Sequence, residues 1–366
     1  MATLLAADSR LRTLDLARLG PNWYAAVMGT AITGNAAAAL PIEVPGRVAL
    51  AEAVWTLSLL LLVLLLASRA VHLVRHREQA RHTLLEDPSA AVFYGCPPMA
   101  LLAVGYGALA VGGPVIGAGP ALALDALLWS TGTLYALAVA VVLPYLMITR
   151  HRLSALEANP TWLLPVVAPM VAAALGPALV PHLPEGAARV ALLYGCLAMF
   201  GASALATLLM LPVVLGGLLH SKLPALVLTP SLFLVLGPLG QSTTAVNQFA
   251  DAVPLALPGA GAQGAEFARQ AAVAYGVAVL GFALLWLVVA LAANLRALRA
   301  EMPFAMTWWA FTFPVGTLVT GTAGLARHTG FGGFTALAGA LYLLLFSAWA
   351  VAAARTFAGL RAGRLL

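Results

Sequence analysis

The chain has 366 residues, of which 62% are apolar and only 9% charged, against roughly a quarter charged in an ordinary soluble domain. Its net charge of +6 comes from 18 arginines and the single Lys222, and the high arginine, alanine and leucine usage points to genomic base bias rather than to a nucleic-acid partner. A soluble globular protein is excluded, and the chain reads as an all-α, polytopic protein whose solvent is the lipid bilayer.

A hydrocarbon core of about 30 Å needs about 20 apolar helical residues. Uninterrupted low-charge runs, separated by charge clusters and Pro/Gly-rich breaks, predict ten spans at approximately 23–41, 48–70, 93–113, 121–149, 162–180, 188–219, 223–247, 268–295, 304–326 and 332–357. Residues 1–22 form a cytoplasmic segment resembling a short amphipathic interfacial helix, with Leu11, Leu14 and Leu19 toward lipid. Residues 23–357 are the ten-helix transmembrane domain, and 358–366 are a short cytoplasmic tail. The longest loops, about 71–92 and 248–267, are too short to build a soluble domain. Arginine and lysine fall in alternate loops, fifteen against four (Arg47, Arg189, Arg269 and Arg327), which places both termini in the cytoplasm and the protein in the plasma or inner membrane.

Prolines separate two kinds of span. Odd-numbered spans hold Pro97, Pro98, Pro165, Pro169, Pro177, Pro224, Pro230, Pro238 and Pro314, whereas even ones hold only Pro144 and Pro212. Proline removes an intrahelical hydrogen bond, which membranes tolerate where neighbours or a water-filled cavity satisfy the freed carbonyls. Odd spans also carry Thr30, Thr33, Asn35, Gln241, Thr243, Thr244, Asn247, Thr317 and Thr320, while even spans are leucine and valine runs such as 59–66 and 284–289. The expected architecture is five helical hairpins, with kinked odd helices around a central pore and even helices outside them.

Residues at i, i+3/i+4 and i+7 share a helix face. The small, kinkable faces are Asn22, Ala26, Gly29, Thr33 and Ala36 in the first span; Gly95, Pro98, Leu102 and Gly105 in the third; Pro165, Pro169, Ala172 and Gly176 in the fifth; and Pro230, Leu234, Gly237 and Gln241 in the seventh. Close helix packing of the small-xxx-small type is the alternative explanation for such faces. In the ninth, Phe313 interrupts an otherwise small, hydroxylated face of Thr317, Thr320 and Gly324.

The odd spans contain no Asp, Glu, His, Lys or Arg, and their titratable groups along the route are tyrosines such as Tyr24 and Tyr106. Glu52 and Asp125 sit near outer ends of even spans and Arg355 near an inner end, where capping or snorkelling suffices. Cys96 and Cys196 lie in apolar stretches with no CxxC and no nearby histidine, so they read as core residues, and neither a metal site nor a cofactor is expected. An uncharged pore does not favour cations, which need carboxylate rings or ordered carbonyls. Half-helix N-termini and hydroxyl donors suit an anion.

Two motifs carry a family resemblance. Pro21-Asn22-Trp23-Tyr24-Ala25-Ala26-Val27-Met28-Gly29-Thr30, followed by Asn35 and Pro41, resembles the tellurite-resistance/dicarboxylate transporter family, and Trp308-Trp309-Ala310-Phe311-Thr312-Phe313-Pro314 is similar to the ninth-helix segment shared with the plant guard-cell slow anion channels. The resemblance implies a homotrimer with a pore in each protomer, plugged by the phenylalanine that precedes a proline in the ninth helix, here Phe313. Phe311 falls with Val315, Leu318 and Thr322 and is the second candidate. Gly29, Thr33, Pro98, Pro169, Pro230, Gln241, Pro314, Thr317 and Thr320 are the expected pore lining. Kinase control through long regulatory tails, as in the plant channels, is not expected, and family membership leaves the substrate open among dicarboxylates, halides, nitrate and oxyanions.

Three functions compete for such a chain. The first is a gated anion channel; the second is a proton-coupled C4-dicarboxylate carrier or a sulfite- or tellurite-type oxyanion exporter on the same fold. A membrane-embedded enzyme is disfavoured, because no intramembrane acid–base pair or nucleophile constellation is visible and His72, His76 and His82 lie in a basic loop.

Overall fold

Leucine and valine runs become long helices that face outward, and the proline- and threonine-bearing segments become shorter helices buried among them. The protein is described by a computed structural model covering residues 19–363 and 365, so the interfacial helix expected before Leu19 lies outside the described residues. Leu19 itself is buried in the main apolar core rather than turned to lipid.

In chain order the α-helices are α1 (Tyr24–Ala39), α2 (Arg47–Arg75), α3 (Arg77–Leu85), α4 (Pro88–Ala91), α5 (Cys96–Gly107), α6 (Gly113–Ile116), α7 (Ala118–Thr149), α8 (Leu163–Leu175), α9 (Ala187–Ser221), α10 (Leu236–Ala256), α11 (Gly261–Arg299), α12 (Phe313–Thr329) and α13 (Gly332–Arg361). No strand occurs among the described residues. Among the described residues, eight segments are long and apolar enough to cross a membrane, which makes this an all-α, multi-pass membrane protein. Short, polar α1 and α12 are not among the eight. The expected loops at 71–92 and 248–267 are mostly helical, occupied by α3 and α4 and by the ends of α10 and α11.

Burial divides the helices as the composition does. In α2, α7, α9, α11 and α13 only 22–33% of the most apolar stretch is buried, against 61–94% in the segments holding α5, α8 and α10. The buried helices touch in a ring: α1 packs on α5, α5 on α8, α8 on α10, α10 on α12 and α12 on α1. Each exposed helix packs on the buried helix that precedes it. Exposed leucines such as Leu64, Leu134, Leu209, Leu285 and Leu343 cover the outside.

Several prolines of the inner segments stand where the helix changes type. Pro97 and Pro98 lie in the first turn of α5, Pro165 in that of α8, Pro238 in that of α10 and Pro314 in that of α12. Each inner helix is preceded by 3-10 turns, at Pro21–Trp23, Val92–Gly95, Pro160–Trp162, Leu226–Val235 and Met306–Phe311. Pro230 belongs to such a turn; Pro169, by contrast, stands inside α8. Between α5 and α6, Pro114 cannot donate to the preceding turn, and Ala108–Gly112 is a π turn.

Indole N–H groups join the two layers. Trp55 of α2 donates to the Val104 carbonyl (3.0 Å), Trp129 of α7 to that of Ala172 (3.0 Å) and Trp286 of α11 to that of Leu232 (2.9 Å), while Trp349 of α13 donates to Thr30 Oγ1 (3.1 Å). On α9 a serine does the same work, Ser203 donating to the Val166 carbonyl at 2.6 Å. Helix ends are also satisfied: Arg47 donates to the Ala37 and Ala38 carbonyls at the end of α1 (2.9 and 2.8 Å), and α12 stops at Gly330, whose φ of 66° favours glycine.

Candidate functional site

Phe313 is the first residue of α12 and is only 3% exposed, yet it borders three cavities. On one side is a polar cavity of about 30 Å³, walled by Asn35 of α1, Tyr106 of α5, Gln241, Thr244, Asn247 and Gln248 of α10, and Thr320 and Arg327 of α12. On the other are two apolar cavities of about 30 and 20 Å³, bordered by Met28, Leu164, Leu234 and Pro314. The first of these shares Phe93, Met306 and Thr307 with an open vestibule of about 570 Å³ that reaches Asn22, Arg69 and His72. The aromatic ring thus stands between a polar and an apolar compartment. About 30 Å³ accommodates no more than a few water-sized groups.

The polar cavity is built on tight packing of α10 against α12. A Cβ at Gly240 would overlap Thr317 Oγ1 and lie 2.6 Å from the Leu318 nitrogen, so only glycine permits this approach. Across the interface Thr244 and Thr320 share a 2.7 Å hydroxyl contact, and Asn247 donates to the Thr243 (2.8 Å) and Gly321 (3.3 Å) carbonyls. Asn35 donates to the Ala103 carbonyl at 2.9 Å. With their amides committed, Asn35 Oδ1 and Asn247 Oδ1 have no hydrogen-bond partner, and neither has Gln241 Oε1. Buried carbonyl oxygens of this kind are ordinarily paired.

At the outer rim of this cavity, Arg327 lies 3.7 Å from Asp251, which also meets His328 Nε2 at 2.9 Å. No acidic residue borders any of the three cavities, and Arg327 is their one charged residue.

Of the residues expected to line a pore, the structure brings together Phe313, Pro314, Gln241 and Thr320. It places Gly29, Thr33, Pro98, Pro169, Pro230 and Thr317 away from these cavities. Gly29 faces Thr312 and Trp309, where a Cβ would overlap the threonine hydroxyl, and Gly95, on the face of Pro98, meets the Leu164 carbonyl. Thr33 donates to the Gly29 carbonyl at 2.8 Å and Thr317 to that of Pro314 at 2.7 Å, both fully buried. The reason is physical: small faces let backbones approach, so they are consumed by helix packing, and the neighbouring faces carrying Met28, Ile32, Asn35, Ala103 and Tyr106 border the cavities. Phe311 packs edge-on against Phe233 and Trp308, with ring centres at 4.9 and 5.9 Å, and borders none of them.

Two further expectations need correction. The α12 helix runs beyond 326, which brings the ionisable Arg327 to the cavity rim. Asp125 neither caps nor snorkels: it is 2% exposed, packed against Gly105, with Oδ2 unpaired. Asn35, Tyr106, Thr244, Asn247, Gln248 and Arg327 border the polar cavity without having been among the expected lining; a polar residue one position away from each small face is the signal that would have found Asn35 and Tyr106. Cys96 and Cys196 are both buried in the apolar core.

A ring of buried helices enclosing polar and apolar cavities, sheathed by lipid-facing helices, defines a membrane transport protein. Over residues 18–357 the chain matches the SLAC1 family, described as voltage-dependent anion channels, and it belongs to that family. It is similar to the sulfite efflux pump SSU1 of Arthroderma otae, at 27% identity over 86% of this chain and 84% of the relative, and to that of Trichophyton rubrum, at 26% over the same shares. It is also similar to an uncharacterized transporter of Methanocaldococcus jannaschii, MJ0576, at 24% identity over 96% of both chains.

Proposed function

We propose that this protein passes small anions across the plasma or inner membrane through a pore within each protomer, with Phe313 as its plug. The ten segments α1, α2, α5 with α6, and α7 to α13 cross the bilayer as five hairpins, both termini lie in the cytoplasm, and three protomers assemble. The observation that carries the reading is the position of Phe313 as the shared wall of the cavities on either side of it. Rotation of the ring would join them. Arg327, together with hydroxyl and amide donors and no bordering carboxylate, supports an anion as cargo. With the cell interior negative, a monovalent anion leaving gains about 2.3 kcal/mol per 100 mV, so passive flux runs outward unless a steep gradient opposes it.

A specific observation favours an oxyanion over a halide. Gln241, Gln248, Thr244 and Thr320 border the cavity with amide and hydroxyl groups, which both donate and accept; a protonated oxyanion such as hydrogensulfite uses both roles, whereas chloride only accepts. The sulfite efflux pumps among the relatives agree. The small cavity supports such an ion better than a four-carbon dicarboxylate.

The test is voltage-clamped current through purified wild type and Phe313→Ala in planar bilayers at symmetric pH, with chloride, nitrate, sulfite and malate. Current should rise at least about tenfold in the variant, as it does when a barrier falls by about 1.4 kcal/mol, and reversal potentials should follow the anion gradient. Silence from both proteins, alongside malate uptake driven by an inward proton gradient in vesicles, would overturn the plug and make the protein a coupled carrier.

A further inference from the structure

Outside the buried ring, a cleft of about 630 Å³ opens between the end of α2, the α3 helix, and the faces of α5 and α7. Its size is that of a ligand cleft, commonly about 300–1,000 Å³. Nothing in the proposed anion path uses it.

The sequence of α3 explains the cleft's chemistry. Arg77, Ala80, Arg81 and Leu84 recur at helical spacing, and all four border the cleft, so one face carries two guanidinium groups at one end and a leucine at the other. Arg69 of α2 adds a third, its position fixed by donation to the Tyr94 hydroxyl (2.8 Å) and the Leu19 carbonyl (3.2 Å) and by its place over the Tyr94 ring. Arg77 and Arg81 are exposed, and no carboxylate among the described residues pairs with any of the three. Glu86, the acid that follows α3, is already committed: it accepts from Arg150, whose donation holds its carboxyl below the usual carboxylate range. His151 meets the Leu84 carbonyl at 3.1 Å, so α3 is tied at this end to the end of α7.

The opposite walls are apolar and belong to membrane helices. Leu66 and Leu73 of α2 are exposed there, and Tyr135 of α7 and Tyr94 supply the aromatic groups that favour the boundary between hydrocarbon and headgroups. Guanidinium groups bind phosphate in bidentate fashion, and a cleft charged at its polar end and greasy along its length matches an amphiphile with an anionic head. A free phosphate would leave the leucine walls without a partner.

We infer that this cleft is a binding site for an anionic phospholipid, with Arg77 and Arg81 on the phosphate and the acyl chains along Leu66 and Leu73. Arg69 and Pro21 border both this cleft and the vestibule, so a bound headgroup sits one side chain from the anion entrance. The leaflet occupied rests on the orientation proposed above; binding itself does not.

Native mass spectrometry of the full-length protein, titrated with dioleoyl phosphatidylglycerol or dioleoyl phosphatidylcholine, tests this without reference to transport. Wild type should retain phosphatidylglycerol in preference to phosphatidylcholine, and Arg77→Gln/Arg81→Gln should weaken retention about tenfold or more, as expected when two arginines leave an anionic surface. Arg296→Gln/Arg299→Gln, an equal charge loss elsewhere, should leave it unchanged. Equal retention of the two lipids by wild type overturns the inference whatever the variants' folding. So does retention unaffected by the α3 substitutions, displacement of the lipid by inorganic phosphate, or an assembly that carries no lipid because a second copy fills the cleft.

Discussion

Two phenylalanines two residues apart face different surroundings because a 3-10 turn ends between them. Phe311 closes that turn and lies in an aromatic cluster with Phe233 and Trp308; Phe313 begins α12 and meets the cavities. Periodicity separated the two, because Phe313 shares its face with Thr320 and Phe311 does not. Gln241, which shares the cavity with Thr320, carries an amide that makes a prediction about selectivity. Gln241→Leu, made in the Phe313→Ala background so that current is measurable, keeps the volume and removes the amide. The sulfite-to-chloride permeability ratio should fall about tenfold, the cost of one hydrogen bond lost against a buried polar partner. An unchanged ratio would show that this amide does not read the ion.

At the scale of helices, the useful distinction is between faces that pack and faces left over. Water offers no hydrophobic driving force between helices inside a bilayer, so association depends on close van der Waals contact and interhelical hydrogen bonds. Gly240, Gly321 and Gly324 therefore line the α10–α12 seam, and Thr244 and Asn247 bond across it. Gly240→Val should destabilise the protein by about 1–3 kcal/mol or more, since the new side chain meets backbone that cannot yield; a drop in the thermal midpoint of the detergent-solubilised protein measures it. Gly237→Ala, one turn away with open space around it, should be tolerated. The layer-joining tryptophans belong to this scale too. Their donors were invisible to composition, because a lone tryptophan in a leucine run has no periodic signature.

For the whole molecule, the ring of five buried helices and the exposed shell have consequences that labelling and mass can read. The trimer proposed from the family resemblance should give a protein mass of three chains by light scattering, with detergent subtracted, and each protomer should conduct independently. A single cysteine placed at Arg299 should react with an impermeant maleimide only from the cytoplasmic side, and one at Arg269 only from outside, both in a background lacking Cys96 and Cys196. Labelling of both from one side would contradict the arginine-based topology.

Helical class, membrane residence and the division into buried and exposed helices follow from the sequence alone, because they depend on summed hydropathy and on where proline and threonine are allowed, which are local properties. Fine geometry depends on pairs of residues far apart in the chain. Which small face packs and which neighbouring face is left beside a cavity, the arrival of Arg327 at the rim, and the burial of Asp125 behind Gly105 were all decided when helices docked. So was the cleft beside α3, whose arginines looked like an ordinary basic loop until α2, α5 and α7 supplied its apolar walls.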